Sequence, residues 1–404
     1  MKYLGYIFRN IGRNPIRTSL TVASISICLF LTMILLSFVM VNGEVAKSLT
    51  KYNRLITMSS QGFMQAVPIA NVAEVGRIEG VATVGELTPE DTEFKDRKAV
   101  TPFSWYGGRY KEDSMPGAQF GVDGDTIFAI MTEMKIPPDQ IEAFRKDKSG
   151  CIIGKKIAAD KHLKVGDAYP LKSTIYEYNL DLTVRGIYDA PENRDNRGCW
   201  FHWEYLNEGL KKNFQGRRAN NAGTIYFKAK DGSQMPALCK KVDDTFRNSA
   251  TATKTQTDEQ FAKMFAEMVG DLQTLIVGVG LAVAVSLFCV CAVAMSMSMR
   301  ERTTEIAVLK AIGFGRGLVL MLVLVEAMIV ASLGGLIGAI GTKLFFDRYD
   351  LGKLAGQILP FFYVPWSVAL LGLGCAVGVG FLSGLIPAFL ASRMSVIQGL
   401  RKVV

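Results

Sequence analysis

Four apolar runs, at 18–41, 272–299, 318–345 and 362–390, are each long enough to cross a hydrocarbon layer of about 30 Å. Wherever such a chain meets lipid, its backbone polar groups must be satisfied within helices. The first run exceeds the about 7–15 apolar residues of a secretory signal. It ends in Val41-Asn42-Gly43-Glu44 instead of a small-residue cleavage site, so it reads as an uncleaved anchor. Mean hydropathy is +0.22, yet 21% of residues are charged. That combination fits membrane spans joined to a large water-facing portion, the stretch between the first and second runs.

Charge sets the expected orientation. Lys2, Arg9, Arg13 and Arg17 precede the first span; Arg300, Arg302, Lys310 and Arg316 lie between the second and third; Arg393, Arg401 and Lys402 follow the fourth. With four spans these segments share one side, and positive charge in short loops marks that side as cytoplasmic. They carry 11 Lys/Arg against only Glu301 and Glu305, which accounts for the whole net charge of +9. The excess therefore lies beside anionic headgroups, and a nucleic-acid partner is not needed to explain the basic pI.

Residues 2–13 place Tyr3, Leu4, Ile7, Phe8 and Ile11 on a helical stripe with Arg9, Arg13 and Arg17 spaced by four, the pattern of an interfacial amphipathic helix. Asn14-Pro15 breaks it before the first span. Between spans one and two, strand and helix signals alternate. Strands are expected at 54–60, 81–87, 151–153, 179–188 and 224–229, and helices at 69–78, 155–162 and 235–246. This is an α+β pattern. The segment 258–271 places Phe261, Met264, Phe265 and Met268 on one face and runs without proline into span two, as a stalk would; 44–49 is its counterpart after span one.

The short loop 300–317 holds a further helix, from Thr303 or Thr304 to Ile312. Threonine suits its N-cap, Glu305 and Lys310 suit the two ends of the dipole, and Gly313 and Gly315 end it. Ile306, Leu309 and Ile312 give an apolar face flanked by charge, fit either to dock into a partner's groove or to seal the loop against lipid. Glu326 falls within span three, and an intramembrane carboxylate is a functional candidate or a bond across helices. Gly334 and Gly338 in span three, and Gly374, Gly378, Gly380 and Gly384 in span four, read as small-residue packing faces.

Chemistry is sparse. No G-x-x-x-x-G-K-[ST] phosphate loop occurs; Gly150–Lys156 has the wrong spacing and no hydroxyl residue after its lysine. His162 and His202 are the only histidines, and Cys199-Trp-Phe-His202 lacks a second half to complete a metal site. Neither catalytic residues nor a metal site are expected. Cys151, Cys199 and Cys239 are an odd set in an oxidising space, allowing one disulfide with a thiol left over. Cys28, Cys289, Cys291 and Cys375 read as packing residues within spans.

Four segments carry a resemblance: NPIRTSLT at 14–21, GCIIGKKIAADKHLKVGDAYPL at 150–171 with TVRGIYDA at 183–190, ERTTEIAVLKAIGF at 301–314, and SGLIPAFLASRMSVIQGLR at 383–401. In this order and spacing they resemble FtsX-like permeases of the macrolide-exporter and lipoprotein-release type (the MacB/LolC class). Ala307 departs from the glycine that relatives often carry there. The resemblance implies a membrane α-helical bundle of four transmembrane helices, with an α+β extracytoplasmic domain inserted between helices 1 and 2. It implies that 301–314 is a coupling helix, with Arg302, Glu305, Ile306, Leu309 and Lys310 against the ATPase. It also implies an ABC ATPase dimer as partner, which holds the ATP and Mg while this chain carries no cofactor.

The expected layout is an interfacial helix at 1–17, spans at 18–41, 318–345 and 362–390, and an outer domain at 42–257. A stalk with span two occupies 258–299, the coupling loop 300–317, an outer loop 346–361 and a cytoplasmic tail 391–404. The protein is then a multi-pass bacterial inner-membrane protein with both termini cytoplasmic. It is expected to be a non-catalytic subunit that couples ATP hydrolysis by a partner to export or extraction of an extracytoplasmic drug, peptide, lipid or lipoprotein. A second permease copy is expected, a homodimer before a heterodimer, with a periplasmic adaptor and an outer-membrane channel as further partners. The rivals are an ATPase-linked regulator of a cell-wall hydrolase and a four-span sensor or scaffold without an ATPase.

Overall fold

The computed structural model describes residues 4–62, 64–111, 117–176, 178–191, 196–213, 218–268, 270–349 and 363–396. The chain divides into two compact units, one helical and built from both ends of the chain, the other formed mainly by Val41–Met268.

The helical unit opens with α1 (Leu4–Ile11) and α2 (Pro15–Leu49). Proline is tolerated in a first helical turn, where its missing N–H has no partner to lose. The corner closes through Thr18, whose N–H bonds Asn14 O at 3.1 Å and whose hydroxyl donates to Ile11 O at 2.9 Å. Residues Thr18–Phe38 of α2 are apolar enough to span a membrane. Ile25, Leu29 and Met33, spaced by four, face inward.

The inserted unit follows as β1 (Arg54–Ser59), β2 (Val67–Pro68), α3 (Ala70–Arg77), α4 (Val84–Leu87), β3 (Val100–Trp105), β4 (Gly108–Arg109), β5 (Gln119–Val122), α5 (Ile127–Ile130) and α6 (Pro138–Lys146). It continues through β6 (Gly150–Gly154), α7 (Lys155–Lys161), β7 (Ala168–Ser173), β8 (Leu180–Tyr188), β9 (Cys199–His202) and α8 (Trp203–Asn213). It ends with β10 (Asn221–Ala222), β11 (Thr224–Lys228), α9 (Met235–Phe246), β12 (Thr253–Thr257) and α10 (Asp258–Met268). One mixed sheet runs β12-β1-β11-β3-β5-β9-β6-β8-β7-β4, with β5/β9 and β6/β8 parallel. Leu55, Val75, Ile225, Phe227 and Val242 form one core between β1, β11, α3 and α9. Cys151, Ile157, Tyr169, Val184 and Phe201 form another around β6–β9.

The strand expected at 81–87 is instead the helical turn α4. Thr83 and Glu86 make a reciprocal capping box, with Thr83 N–H on Glu86 Oε2 at 2.8 Å, so the T-x-x-E pattern outweighed the apolar alternation. In the stalk segment, Phe261 is turned onto the cluster of Ile56, Phe103 and Tyr226. The side chains of Phe265 and Met268, and the join at residue 269, lie outside the described residues.

The helical unit resumes with α11 (Gly270–Glu301), α12 (Thr303–Ala311), α13 (Arg316–Arg348) and α14 (Trp366–Arg393). Val277–Glu301, Arg316–Arg348 and Trp366–Arg393 complete four helices, among the described residues, long and apolar enough to cross a membrane. Small residues set their approach. A Cβ on Gly334 would stand 2.7 Å from Ile25 Cγ2 and 3.1 Å from Val22 O of α2, and one on Gly338 would stand 2.9 Å from Ser26 O. Ser26 Oγ donates to Gly334 O at 2.9 Å across the same contact. Gly380 packs on Ala331 and Gly384 on Ala327, joining α14 to α13. Gly374 and Gly378 do not belong to this face: a Cβ on either would meet nothing within 4 Å beyond its own helix. The buried stripe of α14 is Gly372, Ala376, Gly380, Gly384 and Ala388, spaced by four, and the other two glycines fall outside it.

Candidate functional site: the α12 end of the helical unit

A single residue, Arg302, separates α11 from α12. It is the N-cap, at φ −107 and ψ 15, and its carbonyl accepts Ile306 N–H at 3.0 Å. Threonine does not cap the helix as the sequence suggested. Because α11 continues to Glu301, Thr303 lies already inside α12, and its hydroxyl donates back to Arg300 O at 2.9 Å. The far end is a Schellman motif: Phe314 N–H bonds Leu309 O at 3.0 Å and Gly313 N–H bonds Lys310 O at 3.1 Å. Gly313 has φ +105, which glycine adopts without strain. Gly315 serves the next helix, as the N-cap of α13.

The orientation of α12 sorts the candidate residues. Ile306 is 5% exposed, packed among Met299, Val319, Val323, Leu324, Ala388 and Ala391. Arg302 is also buried; its Nη1 donates to Glu326 Oε1 at 2.8 Å and Oε2 at 2.7 Å. The expectation that Arg302 and Ile306 touch a partner protein is therefore corrected: both face into the bundle, because α13 offers the arginine a carboxylate and the isoleucine a core. Glu326 is the other half of that pair and bonds across helices. Lys310 Nζ reaches the C-terminal end of α14 and donates to Ser392 O and Met394 O, each at 2.6 Å. Burial and the Arg316 charge push Lys310 below the usual lysine range.

What remains outward is Val308 and Ile312, 43% and 71% exposed, with Glu305 and Leu309 half-buried beside them. Arg13, from the α1–α2 corner, pairs with Glu305. Ile7 of α1 lies over the inner side, where it lines a cavity of about 20 Å³ with Arg302, Leu309, Val323 and Glu326. The apolar face read from the sequence thus divides, Ile306 inward and Ile312 outward. Val308, which sequence reasoning missed, joins the outward side.

A second cluster of buried charge lies in the inserted unit. Arg54, at the start of β1, is 3% exposed. Its Nε and Nη2 donate to Asp258 Oδ2 at 2.7 and 2.6 Å, and its Nη1 donates to Glu133 Oε1 at 2.9 Å. Burial alone would lower this guanidinium; Asp258 and Glu133 outweigh it and hold it above its ordinary value. Nearby, burial and the Arg54 charge push Lys228 down to about 8. Asp258 opens α10 and Arg54 follows closely on α2, so the cluster binds the two segments by which the chain enters and leaves this unit. A basic residue heading a strand carried no sequence signal for such burial.

His202 Nε2 donates to Phe144 O, 2.8 Å away, and its ring stacks on the Phe144 ring at 4.2 Å. Cys151, Cys199 and Cys239 are free thiols. Among the described residues no group of three or more His, Cys, Asp or Glu is placed to hold a metal.

Residues 18–245 match the MacB-like periplasmic core domain family, and residues 276–396 match the FtsX-like permease C-terminal family. No curated protein matches the chain. Among solved structures, the extracellular domain of the noncanonic ABC-type transporter YknZ from Gram-positive bacteria is similar at 12% identity and a TM-score of 0.35, over 50% of this chain and 100% of that one. A domain of a putative permease protein from Porphyromonas gingivalis is similar at 14% identity and a TM-score of 0.33, over 52% of this chain and 91% of that one. The first family alone spans more than half of the sequence, and the second takes in α12 and the spans around it. The chain belongs to the FtsX-like permeases with a MacB-like periplasmic core, the membrane components of ABC transporters.

Proposed function

We propose that this permease couples ATP hydrolysis on a separate ABC ATPase dimer to export or extraction of a substrate held outside the cytoplasm, by mechanotransmission. The observation that carries the reading is α12: a short helix between two spans that leaves Val308 and Ile312 exposed next to Glu305. Apolar side chains at the exposed face of a short interspan helix fit a groove on a partner protein. On this reading Glu305 and Leu309 flank the docking ridge, while ATP and Mg belong to the partner, since the sequence holds no phosphate loop of its own. The positive charge on the α12 side supports an arrangement with both termini and α12 on the cytoplasmic face of an inner membrane. Gly374 and Gly378, open on α14, and the many exposed apolar residues of α11 leave room for a second copy of the chain. A periplasmic adaptor and an outer-membrane channel complete the assembly when the substrate is exported.

The test is purification of full-length protein from its native membrane, with ATPase activity assayed on the eluate, for wild type, Glu305→Lys and Ile312→Asp. Both variants alter outward positions and should insert normally. A nucleotide-binding subunit should accompany wild type and fall at least tenfold in both variants. If wild type carries no ATPase, the coupling role is wrong and a sensor or scaffold takes its place.

A further inference from the structure

The helix α12 is fastened at both ends and in the middle. At its N-cap, Arg302 makes a two-oxygen ion pair with Glu326 of α13 at 2.7 and 2.8 Å, with both side chains under 10% exposed. At its C-terminal end, Lys310 holds two backbone carbonyls at the end of α14. Between them Ile306 is buried against α11, α13 and α14. The two spans so engaged are themselves tightly joined, Gly380 on Ala331 and Gly384 on Ala327. Rotation of α12 about its one-residue link to α11 would pull Arg302 from Glu326 and leave two charges, each under 10% exposed, without each other, which a low-dielectric site resists strongly.

We infer that Arg302, Glu326 and Lys310 are positioning residues that make α12 a fixed lug of α13 and α14. A displacement imposed on α12 then passes to those two spans as one body instead of being absorbed in the link to α11. The source of the displacement rests on the docking role proposed above; the fastening does not. The outward residues that would meet a partner, Val308 and Ile312, are separate from the pair, so docking and transmission are separable by mutation.

The experiment is hydrogen exchange with mass spectrometry on the full-length permease, alone and with its co-purified ATPase, with and without ATP and vanadate. It compares wild type, Arg302→Met with Glu326→Met, and the charge swap Arg302→Glu with Glu326→Arg. The double Met variant removes both charges together and leaves no buried ion unpaired. In the permease alone, amides of α12 should exchange at least tenfold faster in the double Met variant, with the swap restoring protection. In the complex, the double Met variant should keep the ATPase bound, but the nucleotide-dependent change should stay within α12, whereas in wild type it reaches α13 around Glu326. Unchanged α12 protection in the double Met variant overturns the fastening. A change that still reaches α13 without the pair overturns the transmission role. Absence of any ATPase from wild type removes the docking reading instead, and the permease-alone comparison still decides the fastening.

Discussion

Lys228 is 6% exposed on β11, with its Nζ 3.4 Å from Thr132 Oγ1 and the Arg54 guanidinium as a like-charged neighbour. Burial and that charge bring it to about 8, while in the unfolded chain it titrates near the usual lysine value of about 10.4. Between these values the unfolded chain binds a proton that the folded chain does not, so folding stability rises with pH across that window. Below about pH 8 the folded protein must carry the buried charge, and the penalty is fully present. Lys228→Met, which keeps an apolar stem of similar length, should therefore stabilise the protein at pH 7 by on the order of 2 kcal/mol. The gain should shrink towards zero by about pH 10. Thermal unfolding of the detergent-solubilised protein at several pH values reads this directly; a gain independent of pH would mean that packing, not charge, sets the cost of Lys228.

Helices and strands differ in how much of their placement was legible. The spans were plain, because about 20 apolar residues in a row admit few other readings. The strands β1, β6, β8 and β11 were legible from alternation or β-branched content, whereas β3, β5 and β9, whose Phe103, Phe120 and Trp200 rings pack together, were scarcely marked. For α12 the extent was legible from Gly313, but not the rotation. Ile306, Leu309 and Ile312 look equivalent in sequence, and only the carboxylate of Glu326 on α13 decides that Arg302, and Ile306 one turn on, turn inward. Glycine spacing was likewise half legible: two offset small-residue stripes run along α14, and the partner surface of α13 selects one. The contrast is testable. Gly334→Val would press a side chain onto Ile25 and the Val22 carbonyl and should destabilise the helical unit by about 1–3 kcal/mol. A Cβ at Gly374 meets nothing within 4 Å, and Gly374→Val should leave the unfolding midpoint of the monomer unchanged. Equal losses in the two variants would show that the stripe assignment on α14 is wrong.

The net charge of +9 lies wholly with the segments that join and flank the spans on the α12 side, so orientation in the membrane is a property of the entire chain and not of any one helix. In the proposed topology of four spans, the C-terminal end lies on the side of the N-terminal end and the inserted unit on the other. Two exposed positions, one in each unit, report this with the least disturbance. Met64 is 88% exposed in the loop between β1 and β2, and Ile312 is 71% exposed at the end of α12. In a background with the seven native cysteines replaced, Met64→Cys should react with a membrane-impermeant maleimide added to intact spheroplasts. Ile312→Cys should react only after the membrane is opened. The charge on the short segments beside the spans sets orientation, so moving it should be enough to disturb the topology. Replacing Arg300, Arg316 and Arg393 together with glutamine, none of which belongs to the Arg302–Glu326 pair, should raise the fraction of Ile312→Cys labelled from outside. If Ile312→Cys labels from outside in the otherwise unaltered protein, the ATPase-facing role of α12 is excluded whatever the fold, because a cytoplasmic partner could not reach it.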